Sequence, residues 1–151
     1  MSIPPNGTAF LLNPSALPGA TRYPHARMIP PSEKATMYIS GIAPVTPDGD
    51  LEGVNTNADG TWSADIRVQT AAVLKRIEAI IKGASDGKAD LHNIVDAVVY
   101  LTDIKSQYPG MNEEWNKVWS DRESAPARAT IGVRELPDER FLVEVKATAV
   151  F

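Results

Sequence analysis

The sequence predicts an α+β fold in which two helices lie on one face of a mixed sheet. Three observations carry that expectation. Residues 63–82 hold one long apolar stripe at helical spacing. A second, shorter helical stripe follows Pro109. Strand-like runs stand on both sides of these helices, at 35–41, 94–102, 129–133 and 141–150. The resulting order is strands, long helix, strand, helix and two strands, which suits a layered α+β arrangement.

Taken in order, residues 1–35 are rich in proline, glycine and serine, and Pro4, Pro5, Pro14, Pro18, Pro24, Pro30 and Pro31 rule out a long helix there. Thr8 to Leu12 still reads as a short edge strand. Ala35 to Gly41 reads as a strand ending at glycine. Pro47-Asp48-Gly49-Asp50 has the chemistry of a turn, and Asn55 to Gly60 reads as a polar loop. In the long helix Ile66, Thr70, Val73, Leu74, Ile77, Ile80, Ile81 and Ala84 share one stripe. Ser63 or Asp65 can cap its start and Gly83 can end it. Arg67, Lys75, Glu78 and Lys82 occupy the opposite, solvated face. Ile94 to Thr102 is β-branched and aromatic, hence a strand. Pro109 is expected to open the second helix, whose stripe is Met111, Trp115, Val118 and Trp119. In the final strand Phe141, Val143, Val145, Ala147 and Ala149 share one face, and Leu142, Glu144, Lys146 and Thr148 share the other. Helices on one side leave a sheet face to be covered, so Phe141, Val143, Val145 or their neighbours need a partner surface.

Composition narrows the chemistry. The 151 residues suit one domain, taken as 1–151. No cysteine is present, which excludes disulfides, thiolate metal sites and thiol nucleophiles. The formal charge is −4 and no window is dense in lysine and arginine, so nucleic acid is not an expected partner. No run is apolar enough for a membrane span, and the first residues resemble neither a secretory signal nor a transit peptide, so a cytoplasmic location is expected. His25 and His92 are the only histidines and lie far apart, so no metal site is expected. There is no P-loop and no GxGxxG, and Ser40 in Ile-Ser-Gly lacks the G-x-S-x-G elbow.

These exclusions leave a water reaction promoted by one carboxylate and one cation. Arg128 opens a strand after Ala-Pro-Ala. A planar guanidinium there is shaped to hold a substrate carboxylate bidentately. Glu144 sits mid-strand among apolar residues, where a carboxylate needs a partner or a raised pKa and becomes an acid–base candidate. The alternative is structural: Arg128 and Glu144 pair with each other, or Glu144 pairs with Lys146. Tyr23 and His25 can line a pocket or simply pack and solvate. Ser40, beside Gly41, can bond a substrate or serve only as a strand-end hydroxyl. Trp115 and Trp119 read as core.

An ordered set of motifs then carries a resemblance. It comprises Ile39-Ser40-Gly41-Ile42-Ala43-Pro44, Val68-Gln69-Thr70 with the long helix, and Ile94-Val95 with Tyr100-Leu101-Thr102-Asp103. It continues with Met111-Asn112, Ala127-Arg128-Ala129-Thr130, Leu136-Pro137 and Val143-Glu144-Val145. In order and spacing, over about residues 16–150, the chain resembles the reactive intermediate deaminase (Rid, or YjgF) family. That resemblance implies a chorismate-mutase-like α+β fold, a homotrimer with pockets at subunit interfaces, and no cofactor. It implies hydrolysis of carboxylate-bearing enamines and imines, such as 2-aminoacrylate and 2-iminopropanoate. It assigns carboxylate binding to Arg128, water activation to Glu144, and pocket positions to Tyr23, Ser40 and Gly41. Thr130 stands where the family often has cysteine. The family's asparagine after the Tyr-Leu-Thr-Asp strand has no counterpart; Lys105 stands near it. Tyr23-Pro24-His25-Ala26 and the long 53–70 segment are similar to the 2-aminomuconate deaminase branch. A dicarboxylate substrate would need a second cation, with His25 first in line and Arg27 and Lys105 behind it. The rival readings are an RNA-cleaving enzyme and a non-catalytic ligand-binding trimer.

Overall fold

A computed structural model of the chain describes residues 4–10, 24, 26–31 and 33–151. Its main sheet has four strands: β3 (Thr36–Ile42), β6 (Ile94–Leu101), β7 (Ala127–Gly132) and β8 (Val143–Val150). Their order across the sheet is β3-β8-β6-β7. β6 and β7 run parallel; the other pairs are antiparallel. Helices α1 (Ile66–Ala84) and α2 (Ile104–Val118) pack on one face. This is the expected α+β architecture. Among the described residues the expected edge strand, β1 (Thr8–Phe10), does not join the main sheet but pairs with β2 (Ala26–Met28) in a separate two-stranded piece.

The alternation in β8 is as read. Val143, Val145, Ala147 and Ala149 are buried under the helices, together with Ile39, Ile94, Ala97, Val99 and Leu101. The helices contribute Val73, Leu74, Ile77, Ile81, Met111 and Trp115 to the same core. The face left uncovered is therefore the neighbouring set, Glu144, Lys146 and Thr148, joined by Tyr38, Val98 and Tyr100.

Three local expectations need correction, and one choice between two caps is resolved. The 55–60 loop is the tip of a hairpin, β4 (Val54–Thr56) with β5 (Trp62–Ala64). Asp59-Gly60 supplies its turn: Gly60 has φ +84°, and Asp59 Oδ1 accepts from Thr61 N at 2.9 Å. Ser63 lies in that hairpin, so Asp65 caps α1, accepting from Arg67 N at 2.8 Å. Gly83 does not end α1. The helix continues to Ala84, and Ser85 terminates it while its hydroxyl accepts from Ala89 N. Pro109 lies inside α2 rather than at its start. The helix is nucleated earlier by polar side chains: Gln107 Oε1 accepts from Asp103 N, Gln107 Nε2 donates to Thr102 Oγ1, and Ser106 Oγ donates to Asp103 Oδ2. A second reason for α2's course is Gly110. A methyl there would stand 2.7 Å from Ile66 Cγ2, so α2 lies against the start of α1 at a residue without a side chain.

Gln69 is fully buried on α1 although it lies outside the apolar stripe. Its amide donates to Arg140 O and accepts from Leu142 N, both at 2.8 Å. It thereby fixes the entry into β8, two residues before Glu144.

Candidate active site

Glu144 occupies the centre of the sheet, on β8 between β3 and β6. It faces Tyr100 across the β6–β8 pair and points to the uncovered side, half-buried. Beneath it β3 bulges: Ile39 pairs with Ala147 and Ile42 with Val145, so Ser40 and Gly41 together oppose Lys146. The Glu144 carboxylate rests on Gly41, where an added methyl would stand 2.1 Å from Oε1. Among the described residues Glu144 makes no hydrogen bond and no ion pair. Lys146, two residues on, donates instead to Ile39 O at 3.2 Å. Ser40 is exposed in the bulge. Ser40, Gly41 and Glu144 are thus brought together.

Arg128 lies on β7, an edge strand, beside Ala97. Ala97 is 3% exposed and faces the helices; Tyr100, three residues further along β6, faces the other way. Arg128 therefore lies on the helix side and Glu144 on the open side of the same sheet. The guanidinium carbon stacks 4.8 Å from the Trp115 ring centroid and 6.0 Å from that of Tyr108. Nη1 reaches Met111 Sδ at 3.7 Å. Thr130 is two residues on, on the same side, and its buried Oγ1 has no hydrogen-bond partner among the described residues. The indole N–H of Trp115 is in the same condition. Trp115 is core as expected, at 2% exposed, but it is also the bed of Arg128. Its place on a helical stripe signalled burial; nothing in the linear pattern signalled that an edge-strand arginine would lie against it.

The direct ion pair between Arg128 and Glu144, one of the structural alternatives, is thus separated by the sheet itself. The pair between Glu144 and Lys146 is not made. Tyr23 and His25 lie outside the described residues. Arg27 is committed elsewhere. Its guanidinium donates to Asn6 O at 3.1 Å, Gly7 O at 2.8 Å, Glu123 O at 2.8 Å and Ala125 O at 2.7 Å. Burial pulls its pKa down, while Glu123 and Asp121 act in the opposite direction. Arg27 ties the β1–β2 piece to the loop that leads into Arg128, so it is a clamp and not a second carboxylate site. Lys105 is exposed in the first turn of α2. Among the described residues, no group of three or more histidine, aspartate and glutamate side chains could hold a metal ion, and no helix is long and apolar enough to cross a membrane.

Beyond the site, Arg140 pairs with Asp138 at 2.7 Å and holds that carboxyl down at about 2, first through the side-chain hydrogen bond. This pair sits in the turn before β8 that Gln69 anchors.

Known proteins resemble this chain in sequence and in fold. The family model described as Endoribonuclease L-PSP matches residues 14–151. A RutC family protein of Aquifex aeolicus is 30% identical over 114 residues, covering 76% of this chain and 79% of the relative. Among solved structures, the Rid family protein YyfB from Yersinia pestis superposes with a TM-score of 0.72 at 20% identity, covering 93% of this chain and 97% of that one. E. coli TdcF with bound serine gives a TM-score of 0.60 at 19% identity, covering 100% and 99%.

Proposed function

This chain belongs to the Rid/YjgF (L-PSP) family, and on that premise we propose that it is a cofactor-free hydrolytic deaminase of carboxylate-bearing enamines and imines. The observation that carries the reading is Glu144: a half-buried carboxylate on the central strand, seated on a glycine and left without hydrogen bond or ion pair among the described residues. Such a group is placed to orient a water and take its proton.

The chemistry follows from the two charged residues. Arg128 holds the substrate carboxylate through its planar fork, while Trp115 supports the guanidinium face. Thr130 Oγ1, buried on the same side, supplies a further donor or acceptor to the bound substrate. The enamine takes a proton on carbon and becomes an imine. Glu144 accepts a proton from water as its oxygen attacks the C=N carbon. The amine nitrogen is protonated, the C–N bond breaks, ammonia leaves and a 2-oxo acid remains. The imine is already electrophilic, so positioning and proton transfer supply the needed acceleration.

Arg128 and Glu144 face opposite sides of one sheet, so one molecule's pair does not enclose a shared substrate. The reading therefore places the site between copies, Arg128 from one and Glu144, Ser40 and Gly41 from the next. A homotrimer closes such a head-to-tail interface, and it covers the face bearing Tyr38 and Tyr100. The bound serine of TdcF, an amino acid with a carboxylate, is compatible with this substrate class.

The finer reading is a 2-aminomuconate-like dicarboxylate. Arg27 is no longer available for a second carboxylate, which leaves His25 and Lys105. RNA cleavage, named in the family model's description, would need a basic surface that a net charge of −4 does not favour. The test is Glu144→Gln. A folded variant should lose most release of ammonia from 2-iminopropanoate and from enzymatically generated 2-aminomuconate. Near wild-type turnover would overturn the assignment, and salt-dependent RNA binding by the native protein would support the RNA reading instead.

A further inference from the structure

We infer that the Ser40–Gly41 bulge is a built seat that aims the Glu144 carboxylate, with Gly41 and Lys146 as positioning residues; this rests on Glu144 being the reacting carboxylate. A glutamate on an open sheet face has three rotatable side-chain bonds and no intrinsic reason to hold one direction. Here it is held by shape. The bulge puts an extra β3 residue beside β8 between the Ile39–Ala147 and Ile42–Val145 pairs. That residue brings a bare Cα under the carboxylate. An added methyl would meet Oε1 at 2.1 Å, Cδ at 2.9 Å and Cγ at 3.4 Å, so the whole end of the side chain lies across Gly41. Gly41 is not among the glycines with positive φ. Its backbone would accept alanine, and only the space taken by Glu144 forbids it.

Lys146 secures the bulge from the other strand. It is the one β8 residue opposite both bulge residues, and its Nζ donates to the carbonyl of Ile39, where regular pairing stops. Lys146 is exposed, so its removal leaves the core intact. Its cation is spent on a backbone carbonyl rather than on the glutamate two residues away. Glu144 is thus aimed by contact and left unneutralised. Bulges re-aim side chains in this manner and occur beside active sites. The positional demand is strict, because a misplacement of about 1 Å at a reacting group can cost on the order of 100-fold in rate.

The experiment is steady-state imine hydrolysis by Gly41→Ala, with circular dichroism and unfolding to confirm the fold. A methyl at 41 must push the Glu144 carboxylate aside, while the guanidinium that holds the substrate carboxylate comes from the neighbouring copy and keeps its Trp115 bed. kcat should fall on the order of 100-fold, with KM moved by less than about threefold. In a Glu144→Gln background the same change should cost nothing further, since both act through one group. Lys146→Met should lower kcat in the same manner but less, and Lys146→Arg should restore it. If Gly41→Ala does not fold, the Lys146 pair decides. A folded Gly41→Ala with native kcat, a loss carried by KM alone, or a native Lys146→Met where Gly41→Ala cannot be read would overturn the seat. Each of these, with Glu144→Gln inactive, leaves the deaminase reading standing. An active Glu144→Gln overturns that reading itself.

Discussion

Arg27→Met should destabilise the protein more than a change at a partly exposed residue normally does. The guanidinium makes four hydrogen bonds, to the carbonyls of Asn6, Gly7, Glu123 and Ala125, at 2.7 to 3.1 Å. Asn6 reinforces the same junction, with its amide donating to Ile94 O and Ser124 O. Hydrogen bonds to a charged group contribute about 1.5–3 kcal/mol each, so simple addition gives roughly 6–12 kcal/mol. Three effects reduce that sum. The bonds share one group and do not add. Part of the junction is exposed, so freed carbonyls regain water. The guanidinium is itself partly desolvated in the fold, as its lowered pKa records. A net loss of about 2–4 kcal/mol follows. Urea unfolding at fixed protomer concentration reads it, and with a slope of about 2 kcal/mol/M the midpoint should fall by about 1–2 M. Arg27→Lys should recover less than half, since one ammonium cannot span carbonyls on two separate segments. A loss under about 0.5 kcal/mol, the usual size for a surface position, would refute the clamp.

Two further outcomes are expected. Arg128→Lys keeps the charge but loses the planar fork and its stacking on Trp115, so KM for a carboxylate imine should rise at least tenfold while the fold persists; unchanged KM in steady-state assays would make Arg128 structural. Asp138 titrates at about 2 in the folded chain against an ordinary 3.8. A depressed carboxyl contributes stability above its unfolded pKa and loses it as pH falls through the folded one. The stability gap between the native protein and Asp138→Asn should therefore be full above about pH 5 and close between about pH 4 and pH 2; a gap independent of pH in acid titrations would contradict the Arg140 pairing.

Much of the fold was legible because burial imposes period. The alternation of β8 and the stripe of α1 follow from which faces are dry. The misreadings occur where polar side chains, rather than burial, decide. Gln107, Ser106 and Asp103 begin α2 ahead of Pro109, which a proline-first reading of helix starts misses. Of the two caps the sequence offered, Asp65 serves α1 because Ser63 is needed to pair in a hairpin whose strands are only three residues each. For the site, the residue types pointed to Arg128 and Glu144, but their spacing in sequence did not reveal that they face opposite sides of the sheet. That follows from register: Arg128 pairs with Ala97 and Glu144 with Tyr100, and these two β6 residues face opposite sides of the sheet. Arg27 illustrates the opposite failure. A cation beside a pocket motif suggested a ligand, yet long-range backbone carbonyls, invisible in sequence, claim it.

The proposed hydrolytic site takes Arg128 from one copy and Glu144 from the next. Arg128→Ala and Glu144→Gln proteins, each inactive alone, can be co-expressed or refolded together in equal amounts and assayed for ammonia release from 2-iminopropanoate. In a ring of three with random mixing, about one quarter of the sites regain both native residues, so the mixture should recover about one quarter of native activity. Mixed oligomers that form but stay as inactive as either variant alone would contradict the claim.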